Sequence, residues 1–349
     1  MRATKRKKST SQRTETSARS GRSSKNLAMG VDIGGTKIAA GLVDRFSGEI
    51  RAHIKAPMVA CGRPAEGLAA VQAAIDLLLK NAAMDIRAIH AMGLCAPGPV
   101  DPHSGVILNP PNVPCWRNFP LAAEISRAYR IPVRLDKDAN AAALAETLWG
   151  AARGYQNVFY ATIGTGIGTG IVLHGKIHRG RTGAAGEGGH VSIDCRGPKC
   201  NCGKPGCIET LAAGPAIAKA TQLQLKKRPG DSQILLELAG GDADAVTSEM
   251  VGQAYAKGDR IAHDVLNQTL DYLSFWLGNI IDLLEPEIIV IGGGVSLMLK
   301  PFFKELSKRL AGRCLNRRGS EISIVPSHYG EDAGVAGAAA LCLEHSVKA

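Results

Sequence analysis

Cys200, Cys202 and Cys207 constrain this chain more than any other feature of its sequence. They stand in residues 183–210, GAAGEGGHVSIDCRGPKCNCGKPGCIET, where Gly203, Lys204, Pro205 and Gly206 turn the chain back on itself. Such a knuckle can present three thiolates to one point. A tetrahedral Zn²⁺ site takes four ligands, and His190, ten residues before Cys200, is the candidate fourth. A bound metal would also fix two carboxylates, because Glu187 precedes His190 by three residues and Glu209 follows Cys207 by two. A glycine-rich surface loop with incidental cysteines is the alternative. Cysteines at metal spacing favour structural zinc.

The chain has 349 residues, enough for two domains or one large one, and 41 glycines against few aromatics. That balance suits tight turns and close backbone approaches, as in α/β enzymes for small ligands. The net charge of +11 would suggest a nucleic-acid partner if it covered a face. Instead, residues 1–26 hold nine Lys/Arg and one acid, Glu15, so the remainder is nearly neutral. This tail is rich in Ser and Thr and almost free of apolar side chains, so it is expected to be a disordered basic tail. A nucleic-acid arm or a transit peptide would share its composition; a solvated extension is the simpler reading. No apolar run spans a membrane. Nine cysteines, an odd number with three assigned to zinc, fit a reducing cytoplasm rather than a disulfide framework.

Residues 27–44, LAMGVDIGGTKIAAGLVD, read as strand, tight turn, strand. Asp32 ends the first strand and can hold Mg²⁺ through water. Gly34 and Gly35 let backbone N–H groups approach a phosphate, and Thr36 and Lys37 add donors. Residues 158–173, VFYATIGTGIGTGIVL, repeat the arrangement around Gly164, Thr165 and Gly166. Two similar half-sites gripping one polyphosphate are therefore expected. A dinucleotide fingerprint is not, because no Gly-x-Gly-x-x-Gly occurs there and a strand follows rather than a helix. Residues 286–291 read as a buried strand running into Gly292, Gly293 and Gly294. A flat ring could lie on that backbone; a plain strand–helix turn is the alternative.

Residues 131–135 read as a short strand, and the Ala-rich DANAAALAE that follows starts a helix running to about residue 152. Asp138 then sits at a strand–helix junction, where a helix N-terminus favours its carboxylate form. A simple helix cap is the alternative. Residues 108–121, LNPPNVPCWRNFPL, form an irregular loop with Asn112 and Asn118 as candidate polar contacts. Further strands are predicted for 86–94 and 321–326, and helices for 65–81, 214–225, 234–238, 248–257, 261–284, 301–314 and 334–345.

Together these motifs resemble the ROK family (repressors, open reading frames and sugar kinases) of the actin-like ATPase superfamily. The resemblance covers about residues 27–345 and is carried most strongly by Gly186-Glu187-x-Gly189-His190 followed by Cys200-x-Cys202-Gly203-x-x-Gly206-Cys207-x-Glu209. It implies two α/β domains of the ribonuclease-H-like kind with the active site in the interdomain cleft. Residues 27–136 with 331–349 would be the small domain, and 137–330 the large domain with the zinc knuckle. It implies that Asp32, Gly34, Gly35, Thr36 and Lys37, with Gly164, Thr165, Gly166, Gly292, Gly293 and Gly294, surround ATP and Mg²⁺. Asp138 would be the catalytic base. Glu187, His190 and Glu209 would hold sugar hydroxyls, with Asn112 in the neighbouring loop. His190, Cys200, Cys202 and Cys207 would hold structural Zn²⁺.

The implied reaction is ATP-dependent phosphorylation of a hexose at its 6-hydroxyl. Glucose ranks ahead of N-acetylmannosamine, N-acetylglucosamine, fructose and allose, because the Asn112…Trp116-Arg117-Asn118-x-Pro120-Leu121 loop resembles that of family glucokinases. A homo-oligomer, dimer or tetramer, is expected. One residue departs from the pattern: the family usually has Asn where Lys137 stands. A cation there is expected to lower the pKa of Asp138 and to alter how the sugar ring is read. Repressors of the family carry a helix-turn-helix ahead of the same body, and residues 1–26 show no apolar periodicity to form one.

Overall fold

Two five-stranded sheets of the same topology organise the protein, seen in a computed structural model that describes residues 26–344. The disordered tail expected over 1–26 falls, Asn26 apart, outside the described residues. The first sheet begins with the glycine hairpin of β1 (Leu27–Ile33) and β2 (Lys37–Asp44), extended by β3 (Ile50–Pro57). Helix α1 (Pro64–Asn81) follows, and then β4 (Met92–Ala96), parallel to β1. A small hairpin, β5 (Val100–Asp101) and β6 (Val106–Ile107), and helix α2 (Leu121–Tyr129) lead to β7 (Val133–Lys137), parallel to β4. Helix α3 (Asp138–Leu148) starts where β7 ends.

The second sheet opens with the hairpin of β8 (Val158–Ile163) and β9 (Ile167–Leu173), with β10 (Lys176–Ile177) at its edge. After the cysteine segment come α4 (Glu209–Ala212), α5 (Gly214–Lys227), α6 (Gln233–Leu238), α7 (Ser248–Ala256) and α8 (Arg260–Leu284). β11 (Ile288–Gly292) runs parallel to β8. Helices α9 (Gly294–Leu299) and α10 (Phe303–Leu310) precede β12 (Ser323–Pro326), parallel to β11, and α11 (Ala333–Leu341) follows. The strand orders, β3-β2-β1-β4-β7 and β10-β9-β8-β11-β12, are equivalent. The two glycine turns therefore occupy matching places, as their sequences suggested.

Two helices cross between the sheets. α3 leaves the first sheet and packs on β8 and β9; α11 leaves the second and packs on β1, β2 and β4; the two also pack on each other. Small residues permit this. A Cβ at Gly93 would collide with the carbonyl oxygen of Ala338, and one at Gly30 with that of Val335, so α11 meets the first sheet at backbone contact. The Ala-rich sequences DANAAALAETL and AGVAGAAAL thus encode close approach rather than bulk. Large side chains fill separate cores: Trp116, Met29 and Ile75 against the first sheet, and Trp276, Phe159 and Leu277 against the second.

Buried charges pin the crossing. Glu146 of α3 is fully buried; its Oε1 accepts from the Ser327 hydroxyl (2.6 Å) and the His328 N–H (2.8 Å), and its Oε2 from the Ala151 N–H (2.7 Å). Arg179 donates through Nε to Asp136 (2.7 Å) and through both terminal nitrogens to Glu344 (2.7 Å each), a bidentate pair. Asp136 is 1% exposed, so removing the guanidinium leaves its Oδ2 buried without a partner, while Oδ1 keeps the Lys137 N–H and the Asn140 amide. Arg179→Met is expected to cost about 3 kcal/mol, read as a lower urea midpoint at unchanged slope. A midpoint equal to that of the wild type would show that this chain of charges contributes nothing.

Several local expectations shift, among them the helix ends expected near 152 and 314, which lie at Leu148 and Leu310. Residues 86–94 do not form one strand: 86–88 make a 3₁₀ turn whose start is capped by Asp85, which accepts from the Arg87 N–H, and the strand runs Met92–Ala96. The strand predicted at 131–135 lies two residues later, because Arg130 takes a left-handed conformation (φ 55°) and Val133 pairs with Met92. β3 and α2 were not anticipated. No helix among the described residues is long and apolar enough to cross a membrane.

Candidate active site

Parallel pairing brings the acidic residues to one end of the first sheet. Asp32 lies opposite Cys95 and Cys95 opposite Asp136, two residues before Asp138. Asp138 is the first residue of α3 and does not cap it; its Oδ1 accepts from the adjacent Ala139 N–H (2.7 Å). Its carboxylate is accessible to water yet densely surrounded by protein. Loss of hydration is the main cause of a pKa raised to about 6. The Asp32 carboxylate adds to the rise, while the Ala139 N–H and Lys137 oppose it. The sequence had suggested the opposite direction, from the helix N-terminus and the neighbouring cation. Desolvation outweighs both.

Burial likewise raises the pKa of Asp32, against the Cys95 thiol, which donates to Oδ1 at 3.4 Å, and the charge of Lys37. Gly334, at the start of α11, stands against the same carboxylate, where a Cβ would collide with Oδ2.

Lys137 does not lie loose beside Asp138. Its side chain is buried, and Nζ donates to Ala185 O (2.6 Å) and Glu187 Oε1 (2.8 Å). Glu187 itself is half exposed. Glu209, first in α4, accepts the Ile167 N–H at 2.9 Å and so braces the second glycine hairpin. Asn112 is exposed, with its backbone against the first turn: a Cβ at Gly35 would stand 2.7 Å from Asn112 O. Asn118 takes a left-handed conformation (φ 49°) and serves as a turn residue.

The cysteine segment folds as the knuckle expected from its sequence. Isolated bridges join Ser192 to Cys207 and Lys199 to Pro205, and the Cys200 N–H donates to Lys204 O (2.8 Å). His190 sits in a 3₁₀ turn held by two anchors: the Thr169 hydroxyl accepts the Gly188 N–H (2.8 Å), and Trp276 Nε1 donates to Gly188 O (3.0 Å). The ligand atoms of His190, Cys200, Cys202 and Cys207 all lie within 4.8 Å of one another. Cys200 Sγ is 3.6 Å from His190 Nδ1, and Cys202 Sγ is 3.6 Å from Cys207 Sγ. Metal–sulfur bonds of about 2.3 Å in a tetrahedron give edges of about 3.7 Å, so the donor set is compatible with zinc.

The glycine turns divide their work. Gly164, Thr165 and Gly294 line a cavity of about 500 Å³ together with Gly214, Pro215, Thr247, Ser248, Glu249 and Met298. Gly294 has open space on its Cβ side. Gly292 and Gly293 serve the backbone instead: a Cβ on Gly292 would meet Tyr160 Oη at 2.7 Å, and Gly293 turns strand into helix at φ 85°. Thr36 and Lys37 are exposed at the first turn, which does not line this cavity. The walls at 214–215 and 247–249 were missed from sequence, since no motif marks them and only folding brings them beside Gly294.

Comparison with known proteins gives the family. Residues 28–345 match the ROK family. The glucokinase of Thermotoga maritima is 32% identical over 316 residues, which are 90% of this chain and 97% of that protein. The crystal structure of a ROK family glucokinase from Streptomyces griseus, in complex with glucose and AMPPNP, superposes with a TM-score of 0.75 at 34% identity, over 90% of this chain and 98% of that one. A xylose repressor of Bacillus spizizenii is 28% identical over 73% of this chain and 61% of its own length. With its duplicated sheets, crossing helices and cysteine knuckle, this chain has the actin-like ATPase fold and belongs to the ROK family.

Proposed function

We propose that this protein is an ATP-dependent sugar kinase that phosphorylates a hexose at its 6-hydroxyl, with glucose as the first candidate. The observation that carries the reading is Asp138, an exposed residue at the start of α3 whose carboxyl, near that of Asp32, has its pKa raised to about 6. A general base works best when its pKa lies near the working pH. Asp138 accepts the proton of the 6-hydroxyl as that oxygen attacks the γ-phosphorus, and ADP leaves with the bridging oxygen. The Gly34 and Gly164 N–H groups close their turns onto Lys37 O and Gly166 O, and the N–H groups of Gly35, Thr165 and Gly166 bind phosphoryl oxygens. The adenosine end of ATP fits the cavity beside Gly294.

Asp32 would hold Mg²⁺, which supplies charge neutralisation at the phosphates. Glu187, Glu209 and His190 hold sugar hydroxyls, with Asn112 at the rim. His190, Cys200, Cys202 and Cys207 would hold a structural zinc, four protein ligands leaving no open position for substrate. Residues 27–136 with 331–349, of which 345–349 lie outside the described residues, and residues 137–330 act as two domains that close over the sugar. We also infer a homo-oligomer working in the cytoplasm, in keeping with nine unpaired cysteines.

A screen of hexoses by coupled ADP release tests the reading. Glucose is expected to lead, with N-acetylmannosamine, N-acetylglucosamine, fructose and allose behind it. Turnover of none of them overturns the kinase assignment.

A further inference from the structure

Lys137 is a charge with little contact to water, at 5% exposure. A buried ammonium needs acceptors to offset its lost hydration. Ala185 O at 2.6 Å and Glu187 Oε1 at 2.8 Å provide two. Gly98 leaves room for the side chain, and Gly186 lies at ordinary contact distance from it. A Cβ at Gly98 would stand 3.3 Å from Lys137 Cδ and 3.8 Å from Glu187 Oε1, and one at Gly186 would stand 3.9 Å from Nζ. That same Gly186 Cβ would lie 3.6 Å from Asn140 Oδ1, a fully buried oxygen with no partner among the described residues. The recess is therefore lined with acceptors and fits a cation. An Asn at this position would be too short to reach Glu187 and would add one more acceptor.

We propose that Lys137 is a positioning residue for sugar recognition: its ammonium holds Glu187 through Oε1 and leaves Oε2 to accept from a sugar hydroxyl. The inference rests on the kinase reading above. An ionised Glu187 accepts only, so the hydroxyl that meets it must donate. Holding one oxygen removes the freedom of a half-exposed side chain, and the sugar meets an acceptor already in place.

The test is a double-mutant cycle in the full-length protein. kcat, sugar KM and ATP KM are measured for wild type, Lys137→Met, Glu187→Gln and the pair, with metal content recorded for each. Lys137→Met is expected to raise sugar KM about 10- to 100-fold, the effect of removing one partner of a buried charge pair, with ATP KM within about threefold. The pair should be no worse than the worse single variant, because both changes remove the same interaction. Lys137→Asn is expected to behave like Lys137→Met. If Lys137→Met does not fold, Lys137→Gln takes its place in the cycle, with the same coupling expected. An unchanged sugar KM, or effects that simply multiply, overturns the inference while leaving the kinase reading intact. Absence of hexose turnover in the wild type overturns both.

Discussion

Asp138→Asn is expected to bind hexose with near-normal affinity and to lose about 10²–10⁴ in turnover. The amide keeps the size of the side chain and can still meet a hydroxyl, but it cannot take up the proton. The pH profile sharpens the test. Asp138 acts as a base only when ionised, and its pKa is raised to about 6 by lost hydration and then by the Asp32 carboxylate. Activity is therefore retained above about pH 6 and lost as pH falls through that value. kcat/KM of the wild type should decline about tenfold per pH unit on the acid side, reporting the free enzyme. The Asn variant should lose that limb along with its rate. Near-normal turnover by Asp138→Asn, or a flat wild-type profile down to pH 4.5, would remove Asp138 from the role of base. A pKa raised to about 6 would let this carboxylate hold the transferred proton more strongly than one of ordinary acidity, while still lying low enough to release it near neutral pH.

Cys202→Ser is expected to lose bound zinc and to weaken sugar binding by about 100-fold, while ATP affinity changes little. Cys202 carries no proposed sugar contact, so the effect would act through the frame. His190 Nδ1 faces Cys200 Sγ at 3.6 Å, and Cys207 precedes Glu209 by two residues. Glu209 in turn receives the Ile167 N–H at 2.9 Å. Loosening the metal centre should let His190 and Glu209 drift together; the cavity beside Gly294 shares only Gly164 and Thr165 with the hairpin that Glu209 braces, and none of its lining residues is a candidate ligand of the metal. Metal content is measured beside sugar and ATP affinities. Full sugar affinity in a zinc-free Cys202→Ser protein would rule the mechanism out. Equal loss of both affinities would point to general unfolding instead.

Much of this site was legible before any fold was known. The knuckle, the two glycine hairpins and the strand–helix junction at Asp138 are local patterns, formed by residues close in sequence, so turn chemistry and periodicity suffice to find them. The alternation of IRAHIKAP in β3 was equally local and was overlooked. Other features could be decided only by tertiary structure. The pKa of Asp138 depends on how many atoms crowd it and on Asp32, more than a hundred residues away, so the adjacent Lys137 misled. The partner of Lys137 is Glu187, fifty residues on, brought there when the segment before the knuckle folds against β9. The cavity walls at Thr247, Ser248 and Glu249 carry no motif and become a site only beside Gly164 and Gly294. Sequence determines which groups are present and how each local turn is made. Dielectric surroundings, charge pairing and concavity arise from contacts between distant segments, and those are set by packing.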